Sequence, residues 1–321
     1  MSKKMILDLD TGVDDALAIA YALASPEVEL IGITGTYGNV LMDQGTRNSL
    51  AITDILGHPE VPVFRGVDHS STSEPGSFEV LEISKFIHGE NGIGDVEIPD
   101  SPRVVEQQDA VDFIIEAAHT YGEDLIYVPT GPDTNIAAAL KKDPQIAHLI
   151  GSIVIMGGAL TVPGNVNAWT EANISQDPEA ADYLFRSGAN VTMVGLDVTL
   201  QTLLTYADTA KWRALGTKAA KFYADMTDFY IKAYETTSPH LGGCGLHDPL
   251  AVAVAVDPSL VTLLDINMKV DVDGPTRGRT IGDEQRITDR TKTMKVAVAV
   301  DVDRFVGELM DRIGALVAKA N

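Results

Sequence analysis

The amino-acid sequence predicts an α/β protein with an open, mostly parallel, twisted β-sheet, a Rossmann-like core and helices on both faces. Two observations predict this fold. Short β-type runs alternate with helical segments from residue 5 almost to the C-terminal end, which is typical of parallel strands joined by crossover helices. The 321 residues also contain no internal repeat, low-complexity tract or clear interdomain linker. We therefore expect one domain over residues 1–321, since open α/β sheets reach this length as single domains.

The first third of the chain contains three strand signals separated by two helix signals. The strand signals are short apolar or β-branched runs, and the helix signals are Ala- and Leu-rich or have apolar residues at helical spacing. In order, they predict a strand over 5–9, a helix over 16–24, a strand over 28–34, a helix over 43–56 and a strand over 61–64. Residues 66–104 lack periodicity and carry Ser, Gly, Pro and charge, which indicates a loop beside a ligand site.

The same alternation continues through the middle of the chain and becomes less regular in its final third. It predicts helices over 110–119, 134–142 and 177–185, and strands over 125–128, 152–156 and 191–196. The final third is predicted to contain helices over 217–236, 247–256 and 302–319, strands over 263–272 and 295–300, and a turn or hairpin over 274–282.

Composition and charge restrict the class of protein. Hydrophobic residues make up 45% and charged residues 22%, which are ordinary values for a globular chain. The formal net charge of -22 repels phosphate backbones and anionic lipid, so we expect neither a nucleic-acid nor a membrane partner. The single cysteine, Cys244, allows no intrachain disulfide, and the first apolar run ends at Asp8, too early for a signal-peptide core. We therefore expect a cytoplasmic protein.

A cluster of four acids follows the first predicted strand and leads into the first predicted helix. Asp8, Asp10, Asp14 and Asp15 lie within eight residues, at the carboxyl end of a strand, where open α/β sheets bind ligands. Carboxylates this close raise one another's pKa unless a cation or hydrogen-bond donors offset their charge. A hard divalent cation, which takes several oxygen ligands, fits the cluster, and Gly12 permits the tight turn that lets the acids converge.

The same segment also matches the Asp-x-Asp-x-Thr signature of haloacid-dehalogenase-type phosphatases. In that alternative, Asp8 would be the nucleophile and Asp10 a general acid. The alternative also needs a downstream acidic pair for magnesium. Gly282-Asp283 is a candidate, but Ile287 stands where the second acid should be. The alternative leaves Asp14 and Asp15 without a role.

Besides residues 8–15, several further segments of the chain carry motifs: 38–40, 88–94, 129–135, 156–159, 171–173, 177–181, 247–251 and 276–280. Taken together and in this order, these motifs resemble the fingerprint of the inosine-uridine preferring nucleoside hydrolases over nearly the whole chain. The resemblance implies a nucleoside hydrolase-like fold that hydrolyses the N-glycosidic bond of purine or pyrimidine ribonucleosides.

The resemblance implies that the acid cluster binds Ca²⁺. Asp10, Asp15 and Asp248 would be ligands through their carboxylates, and Thr130 through its backbone carbonyl. Two ribose hydroxyls and one water would fill the remaining positions. Asp10 would also be the general base toward that water, and Asp248 would close the site around the substrate.

Further residues are expected to contact the nucleoside. Asp14, Asn39, Asn165, Glu171 and Asn173 would hydrogen-bond the ribose, and their oxygens suit a sugar that develops positive charge as the bond breaks. The resemblance also places Met156 in the substrate site.

The leaving base needs stabilisation of its own. His247 precedes a ligand position, and an imidazole can protonate a departing nitrogen near neutral pH. Tyr230 and Tyr234 lie four apart on a predicted helix and would stack on the base or donate to it, although aromatic residues at this spacing also fill cores. His88, in the irregular stretch, would contact the base or the ribose.

The sequence departs from the family pattern at Ala172, where many members carry an aromatic residue between the acid and the amide. This change enlarges the site beside the ribose.

A second alternative is a non-catalytic nucleoside- or sugar-binding protein, which would have no use for Asp10 as a base or for His247. The family also implies a homodimer or homotetramer with nucleoside salvage as its role. The base preference stays open at this point.

Overall fold

The computed structural model describes residues 2–320, and its central feature is an eight-stranded sheet with the strand order β3-β2-β1-β4-β5-β6-β12-β9. Seven of these strands are parallel, and β9 pairs antiparallel with β12 at one edge. The strands of this sheet are β1 (Lys3–Leu9), β2 (Val28–Gly35), β3 (Val63–Arg65), β4 (Leu125–Pro129), β5 (Ser152–Met156), β6 (Val191–Val194), β9 (Val261–Asp265) and β12 (Met294–Val300). Two small antiparallel pairs are formed by β7 (Leu203–Leu204) with β8 (Cys244–Gly245), and by β10 (Met268–Val270) with β11 (Thr280–Gly282).

Helices connect the strands and cover both faces of the sheet. Within residues 2–320 they are α1 (Val13–Leu23), α2 (Met42–Ile55), α3 (Glu82–His88), α4 (Ala110–Tyr121), α5 (Thr134–Lys142), α6 (Ala172–Gln176), α7 (Pro178–Arg186), α8 (Leu196–Thr199), α9 (Tyr206–Arg213), α10 (Lys218–Thr237), α11 (His247–Val256) and α12 (Val302–Val317). Three short 3₁₀ turns lie at Gly122–Asp124, Pro144–His148 and Pro258–Leu260. None of the described helices combines the length and the apolar character needed to cross a membrane.

The two faces of β1 show why the chain forms layers. Met5, Leu7 and Leu9 are buried in the core that contains α1, α10, α11 and α12, whereas Ile6 is buried in the core under α4, α5 and α7. Side chains alternate between the two faces of a strand, so a strand covered on both faces is apolar at nearly every position. This burial fixes β1 at the centre of the sheet and its carboxyl end, with the acid cluster, near the middle of one edge.

The predicted α/β architecture is confirmed, and the differences lie mainly in the irregular parts. The predicted loop over 66–104 contains the short helix α3, where Ile83 and Phe86 are exposed and only Ile87 packs against the core, so the segment gave no periodic signal. The strand predicted over 263–272 is two strands, because the chain leaves the large sheet after Asp265. The strand predicted over 191–196 ends at Val194, because Gly195 caps a short helix.

Candidate active site

The acid cluster lies where the central parallel strands end. Asp10 follows β1 directly and Thr130 follows β4, and the Thr130 amide donates to the Asp8 carbonyl at 2.9 Å. Asp14 and Asp15 stand in the first turn of α1, and Asp248 stands in the first turn of α11. Helices α1 and α11 pack side by side, so their first turns bring distant acids together at the carboxyl edge of the sheet.

Three of these carboxylates converge on one point. Asp14, Asp15 and Asp248 each offer an oxygen, and these oxygens lie within 4.8 Å of one another. All three residues are buried, as is Asp10, whose pKa is raised in part by repulsion from Asp15. The group thus contains two of the three predicted carboxylate ligands, Asp15 and Asp248, together with Asp14, which the sequence placed both in the acid cluster and on the ribose. Asp10 lies beside the group, since the Asn39 backbone amide donates to Asp10 and the Asn39 side chain donates to Asp15.

Burial and mutual repulsion raise the pKa values of the carboxyl groups in this cluster. Burial, followed by repulsion from Asp15, raises the pKa of Asp14 to about 7 and that of Asp10 well above its usual range. The pKa of Asp248 is also raised well above its usual range, by burial and then by repulsion from Asp14. A bound cation would stabilise this cluster, because the cation favours the ionised form of each carboxyl group.

Two carboxylate oxygens of the cluster are available to a ligand. Oδ1 of Asp10 and Oδ1 of Asp14 are buried without a hydrogen-bond partner among residues 2–320. Both oxygens of Asp15, in contrast, accept hydrogen bonds, from Thr130 Oγ1 and from the Gly12 amide, each at 2.7 Å. Hard divalent cations prefer oxygen ligands, and this cluster offers only oxygens, some of them anionic and without a hydrogen-bond partner. The residues present therefore fit a metal ion.

Asp8 differs from its neighbours, because its side chain ties the sheet together. Its Oδ1 accepts from Thr34 Oγ1 at 2.7 Å and from Asn135 Nδ2 at 2.8 Å. Asn135 also donates to the Gly35 carbonyl and accepts from the Val67 amide, so it joins β2 to the start of the 66–104 segment. Burial raises the pKa of Asp8 to about 6. A fully buried carboxylate bound in this way is a poor phosphatase nucleophile.

The residues predicted to bind ribose occupy the loop and helix after β5. Glu171 caps α6 and accepts from the amides of Asn173, Ile174 and Gly158, at 2.8, 3.1 and 3.0 Å. Asn173 Nδ2 donates to the carbonyls of Thr130, at 2.5 Å, and Met156, at 3.1 Å. These bonds bring Glu171, Asn173 and Met156 next to Thr130 at the rim of the cluster.

Asn39 contacts the cluster, whereas Asn165 lies on the loop that joins β5 to α6. The Asn39 amide donates to Asp10 Oδ2 at 2.6 Å, and its side chain lies 3.4 Å from Asp15 Oδ2. This approach requires Gly38, where φ is +156° and a Cβ would lie 2.0 Å from Asp10 Oδ2. Asn165 is exposed, and its Oδ1 accepts from the Ala172 amide at 3.0 Å, so the structure does not bring it into contact with the acids.

Four aromatic and imidazole side chains form the opposite wall. The Tyr230 hydroxyl donates to Asp14 Oδ2 at 3.1 Å, and the Tyr230 ring lies 5.0 Å from the Tyr234 ring and 5.3 Å from the His88 ring. His88 Nδ1 accepts from the Val13 amide at 3.2 Å, so its hydrogen is on Nε2. Tyr230 therefore contacts the acid cluster directly and Tyr234 packs beside it, both within the core, and their contact with the base stays a prediction.

His247 is held on both ring nitrogens. Its Nε2 lies 2.6 Å from the Tyr234 hydroxyl and its Nδ1 lies 2.8 Å from Thr199 Oγ1. Burial lowers the pKa of His247 to about 4 and, with repulsion from His247, that of His88 to about 3. The direction of these shifts favours neutral imidazoles in the metal-free protein, and the role of His247 toward the leaving base stays a prediction.

The motif over 276–280 supports the ribose-binding loop. Thr280 Oγ1 hydrogen-bonds both the amide and the carbonyl of Ala159, each at 3.0 Å. At the other end of the loop, Thr170 Oγ1 donates to the Arg277 carbonyl at 3.0 Å. Gly278 has φ +87°, and a Cβ there would lie 2.4 Å from the Thr170 side chain. The turn between β10 and β11 therefore holds both ends of the loop that carries Asn165.

Three residues that support the site received no role from the sequence: Thr199, Asn135 and Thr280. Asn135 and Thr280 lie in the matching segments 129–135 and 276–280, whereas Thr199 lies in none of them. Each acts through a hydrogen bond to a residue far away along the chain, so the folded arrangement is needed to identify its contact.

A mostly parallel sheet that ends in a buried carboxylate cluster able to hold a metal ion fits a metal-dependent enzyme that acts on small polar molecules. Sequence comparison makes the class specific. The model of the family described as "Inosine-uridine preferring nucleoside hydrolase" matches residues 5–307, and the chain belongs to this family. The protein is accordingly an N-glycosidase that hydrolyses ribonucleosides to ribose and free base.

Known relatives agree with this assignment over their full lengths. The chain is 38% identical to the inosine-uridine preferring nucleoside hydrolase of Leishmania major, covering 98% of this chain and 99% of the relative. It is 37% identical to a probable uridine nucleosidase 2 of Arabidopsis thaliana, with 97% of each chain covered. A solved structure titled "Purine-Preferring Ribonucleoside Hydrolase from Gardnerella vaginalis" is 75% identical, with 98% of this chain and 99% of that chain covered and a TM-score of 0.97.

Proposed function

We propose that the protein is a calcium-dependent nucleoside hydrolase that prefers purine nucleosides and uses Asp10 as its general base. The observation that carries the proposal is the buried carboxylate cluster, in which Asp10 and Asp14 each keep an unpartnered oxygen within residues 2–320. The purine preference is supported by the 75% identity to a structure whose title names that preference, against 37% to a relative named as a uridine nucleosidase.

Calcium fits the donor set better than softer metals do. Asp10, Asp15 and Asp248 would supply carboxylate oxygens and Thr130 its carbonyl, so the ligands are all oxygen. Asp14 converges on the same point and adds a further acceptor. When bound, the calcium ion would orient the two ribose hydroxyls and make a neighbouring water easier to deprotonate.

The carboxylates of the chain perform two tasks. Asp10 accepts the proton of the attacking water through Oδ1, while the Asn39 amide holds its Oδ2 at 2.6 Å and fixes the orientation of the group. The remaining anionic oxygens face a sugar that becomes positively charged at C1′ as the bond to the base breaks, and they stabilise that charge.

The ribose is held by residues that the loops bring to the rim of the cluster. Asp14, Asn39, Asn165, Glu171 and Asn173 supply acceptors and donors for its hydroxyls, and Met156 provides a contact beside Asn173. Glu171 works mainly through the cap of α6, since its oxygens accept three backbone amides. The small Ala172 leaves more room beside the sugar than an aromatic residue would.

The base lies against the aromatic wall. Tyr230 and His88 would pack against the base, and the Tyr234 hydroxyl, 2.6 Å from His247 Nε2, would donate to the electron pair that the leaving base acquires. His247, the predicted acid toward the leaving base, would act through this hydroxyl.

The whole chain, residues 1–321, would act as one catalytic domain. We also propose that it forms a homodimer or homotetramer and serves nucleoside salvage in the cytoplasm, where the buried thiol of Cys244 stays reduced. Its net charge of -22 supports a small-molecule substrate and argues against nucleic acid or membrane as partners.

A panel assay tests the proposed function. Purified protein with Ca²⁺ would be given inosine, adenosine, guanosine, uridine and cytidine, with free ribose measured as reducing sugar and a phosphate ester as control. Release of ribose mainly from the three purine nucleosides is the expected result. A higher rate on uridine would refute the purine preference, and release of phosphate without ribose would indicate a phosphatase.

A further inference from the structure

Three buried side chains form a continuous hydrogen-bonded chain that ends in the base wall. Thr199 Oγ1 lies 2.8 Å from His247 Nδ1, and His247 Nε2 lies 2.6 Å from the Tyr234 hydroxyl. All three residues are buried. Each ring nitrogen of His247 therefore has one partner, while a neutral imidazole carries one hydrogen.

Backbone contacts hold Thr199 and His247 of this hydrogen-bonded array in place. Thr199 is the last residue of α8, and three residues later the Thr202 carbonyl accepts from the Leu246 amide at 2.9 Å. Next to these, Leu203 pairs with Gly245 in the small sheet of β7 and β8. A Cβ at Gly245 would lie 2.7 Å from His247 Nε2, so the imidazole packs directly on the glycine backbone. The ring has little freedom to choose other partners.

Two arrangements of hydrogens satisfy these distances, and they differ at Tyr234. If the imidazole hydrogen is on Nδ1, it points to Thr199, and the Tyr234 hydroxyl must donate to Nε2. If Thr199 donates to Nδ1, the imidazole hydrogen is on Nε2 and points to the Tyr234 oxygen. Only the second arrangement leaves the hydrogen of Tyr234 available to the leaving base.

We propose that Thr199 is a positioning residue, whose hydroxyl donates to Nδ1 of His247 and so keeps the Tyr234 hydrogen directed at the base. The proposal rests on the proposed function, which places Tyr234 beside the base. As the bond between C1′ and the base nitrogen breaks, its electron pair stays on the base, and the Tyr234 hydroxyl stabilises that charge by donation. Thr199 itself does not contact the substrate.

Substitution of Thr199 separates this role from a merely structural one. Thr199→Val keeps the shape of the side chain and removes the donor, whereas Thr199→Ser keeps the hydroxyl. Thr227→Val is the matched control, since Thr227 is fully buried and its hydroxyl has no partner in the described part of the chain. The substrates are inosine and p-nitrophenyl β-D-ribofuranoside, whose leaving group is a stabilised phenolate that needs no donor.

For Thr199→Val, kcat on inosine should fall about tenfold or more with little change in KM, because a donor to the departing base is lost. Its kcat on the nitrophenyl riboside should stay near the wild-type value, and Thr199→Ser and Thr227→Val should resemble wild type on both substrates. An equal loss on the two substrates would show a structural role and overturn the proposal.

The tautomer of His247 gives a second readout that does not depend on which ribosides are accepted. Imidazole ¹⁵N shifts, assigned with His247→Gln, should show the hydrogen on Nε2 in the wild type and on Nδ1 in Thr199→Val. A wild-type ring with its hydrogen on Nδ1 would overturn the proposal. Wild-type protein that releases ribose from no nucleoside would instead refute the proposed function, whereas full inosine turnover by Thr199→Val would refute only the role of Thr199.

Discussion

The two walls of the site differ in the charge that they can stabilise: one wall is rich in carboxylates, and the other consists of hydroxyl and imidazole groups. The wall at the end of β1 holds buried carboxylates whose pKa values are raised, and two of their oxygens lack a partner within residues 2–320. The neutral wall, formed by Tyr230, Tyr234, His88 and His247, carries no carboxylate. Tyr234 and His247 are hydrogen-bonded to each other, His247 is also bonded to Thr199, and Tyr230 donates to Asp14 of the first wall. The carboxylates of the first wall would need a cation to offset their charge, whereas the groups of the second wall need none.

This difference matches the two products of the reaction. The sugar passes through a state with positive charge at C1′, which anionic oxygens stabilise, whereas the base leaves with an additional electron pair, which a hydroxyl donor stabilises. The acid wall should therefore control metal binding and attack by water, and the neutral wall should control departure of the base. Substitutions in each wall test this division of labour.

The largest expected effect belongs to Asp10 in the acid wall. Asp10→Asn removes the acceptor for the proton of water, so kcat should fall about a thousandfold or more. Asp8→Asn is the matched control, because Asp8 lies two residues earlier and an amide oxygen can still accept from Thr34 and Asn135. Steady-state kinetics on inosine should give a nearly normal kcat for Asp8→Asn. Similar losses in both variants would contradict the distinct roles of the two acids.

A smaller effect is expected in the neutral wall. Tyr234→Phe removes the donor to the base, and kcat on inosine should fall about tenfold to a hundredfold. Tyr223→Phe serves as control, since its buried hydroxyl donates to the Ala16 carbonyl at 2.8 Å and takes no part in the site. This control should lose about 1 kcal/mol of stability in denaturant unfolding and keep its kcat. An unchanged kcat in Tyr234→Phe would remove this residue from the mechanism.

The smallest effect concerns stability as a function of pH. The pKa of Asp14 is raised to about 7 in the metal-free fold, above its value in the unfolded chain, so the metal-free protein takes up a proton on folding and gains stability as pH falls through this value. Bound calcium favours the ionised form and removes that gain.

The increase in Tm on adding calcium should therefore shrink between about pH 8 and about pH 6. The lowered pKa values of His88 and His247 make the protein less stable as the pH falls, both with and without calcium. Their contribution therefore largely cancels in the difference between the two forms. Differential scanning calorimetry at matched ionic strength measures this difference. A calcium-induced increase that grows on acidification would contradict the account.

Sequence patterns located three acids of the acid wall, because these acids lie close together after a strand end. Asp10, Asp14 and Asp15 follow an apolar run, so strand position and composition were sufficient for them, whereas Asp248 was found only through the family resemblance. The same approach predicted helices over 134–142 and 247–256 with the observed bounds. Buried strands and Ala-rich helices carry strong periodic signals, which explains this agreement.

The neutral wall was only partly predictable for a physical reason. Tyr230 and Tyr234 have the same spacing as core residues, and only the hydrogen bonds of Tyr230 to Asp14 and of Tyr234 to His247 show that they also line the site. Thr199 and His247 are separated by 48 positions in the chain, and nothing local indicates their contact. The role of Asp14 in the carboxylate cluster likewise depends on how α1 and α11 pack.

The most direct test of the central claim is calcium removal followed by its return. Protein freed of metal by a chelator, with removal confirmed by elemental analysis, would be assayed on inosine and its Tm measured before and after Ca²⁺ is restored. Our account predicts loss of activity and a lower Tm, with both recovered on binding one calcium ion per chain, since a metal that binds only the native state stabilises it. Full activity and an unchanged Tm in the metal-free protein would contradict it.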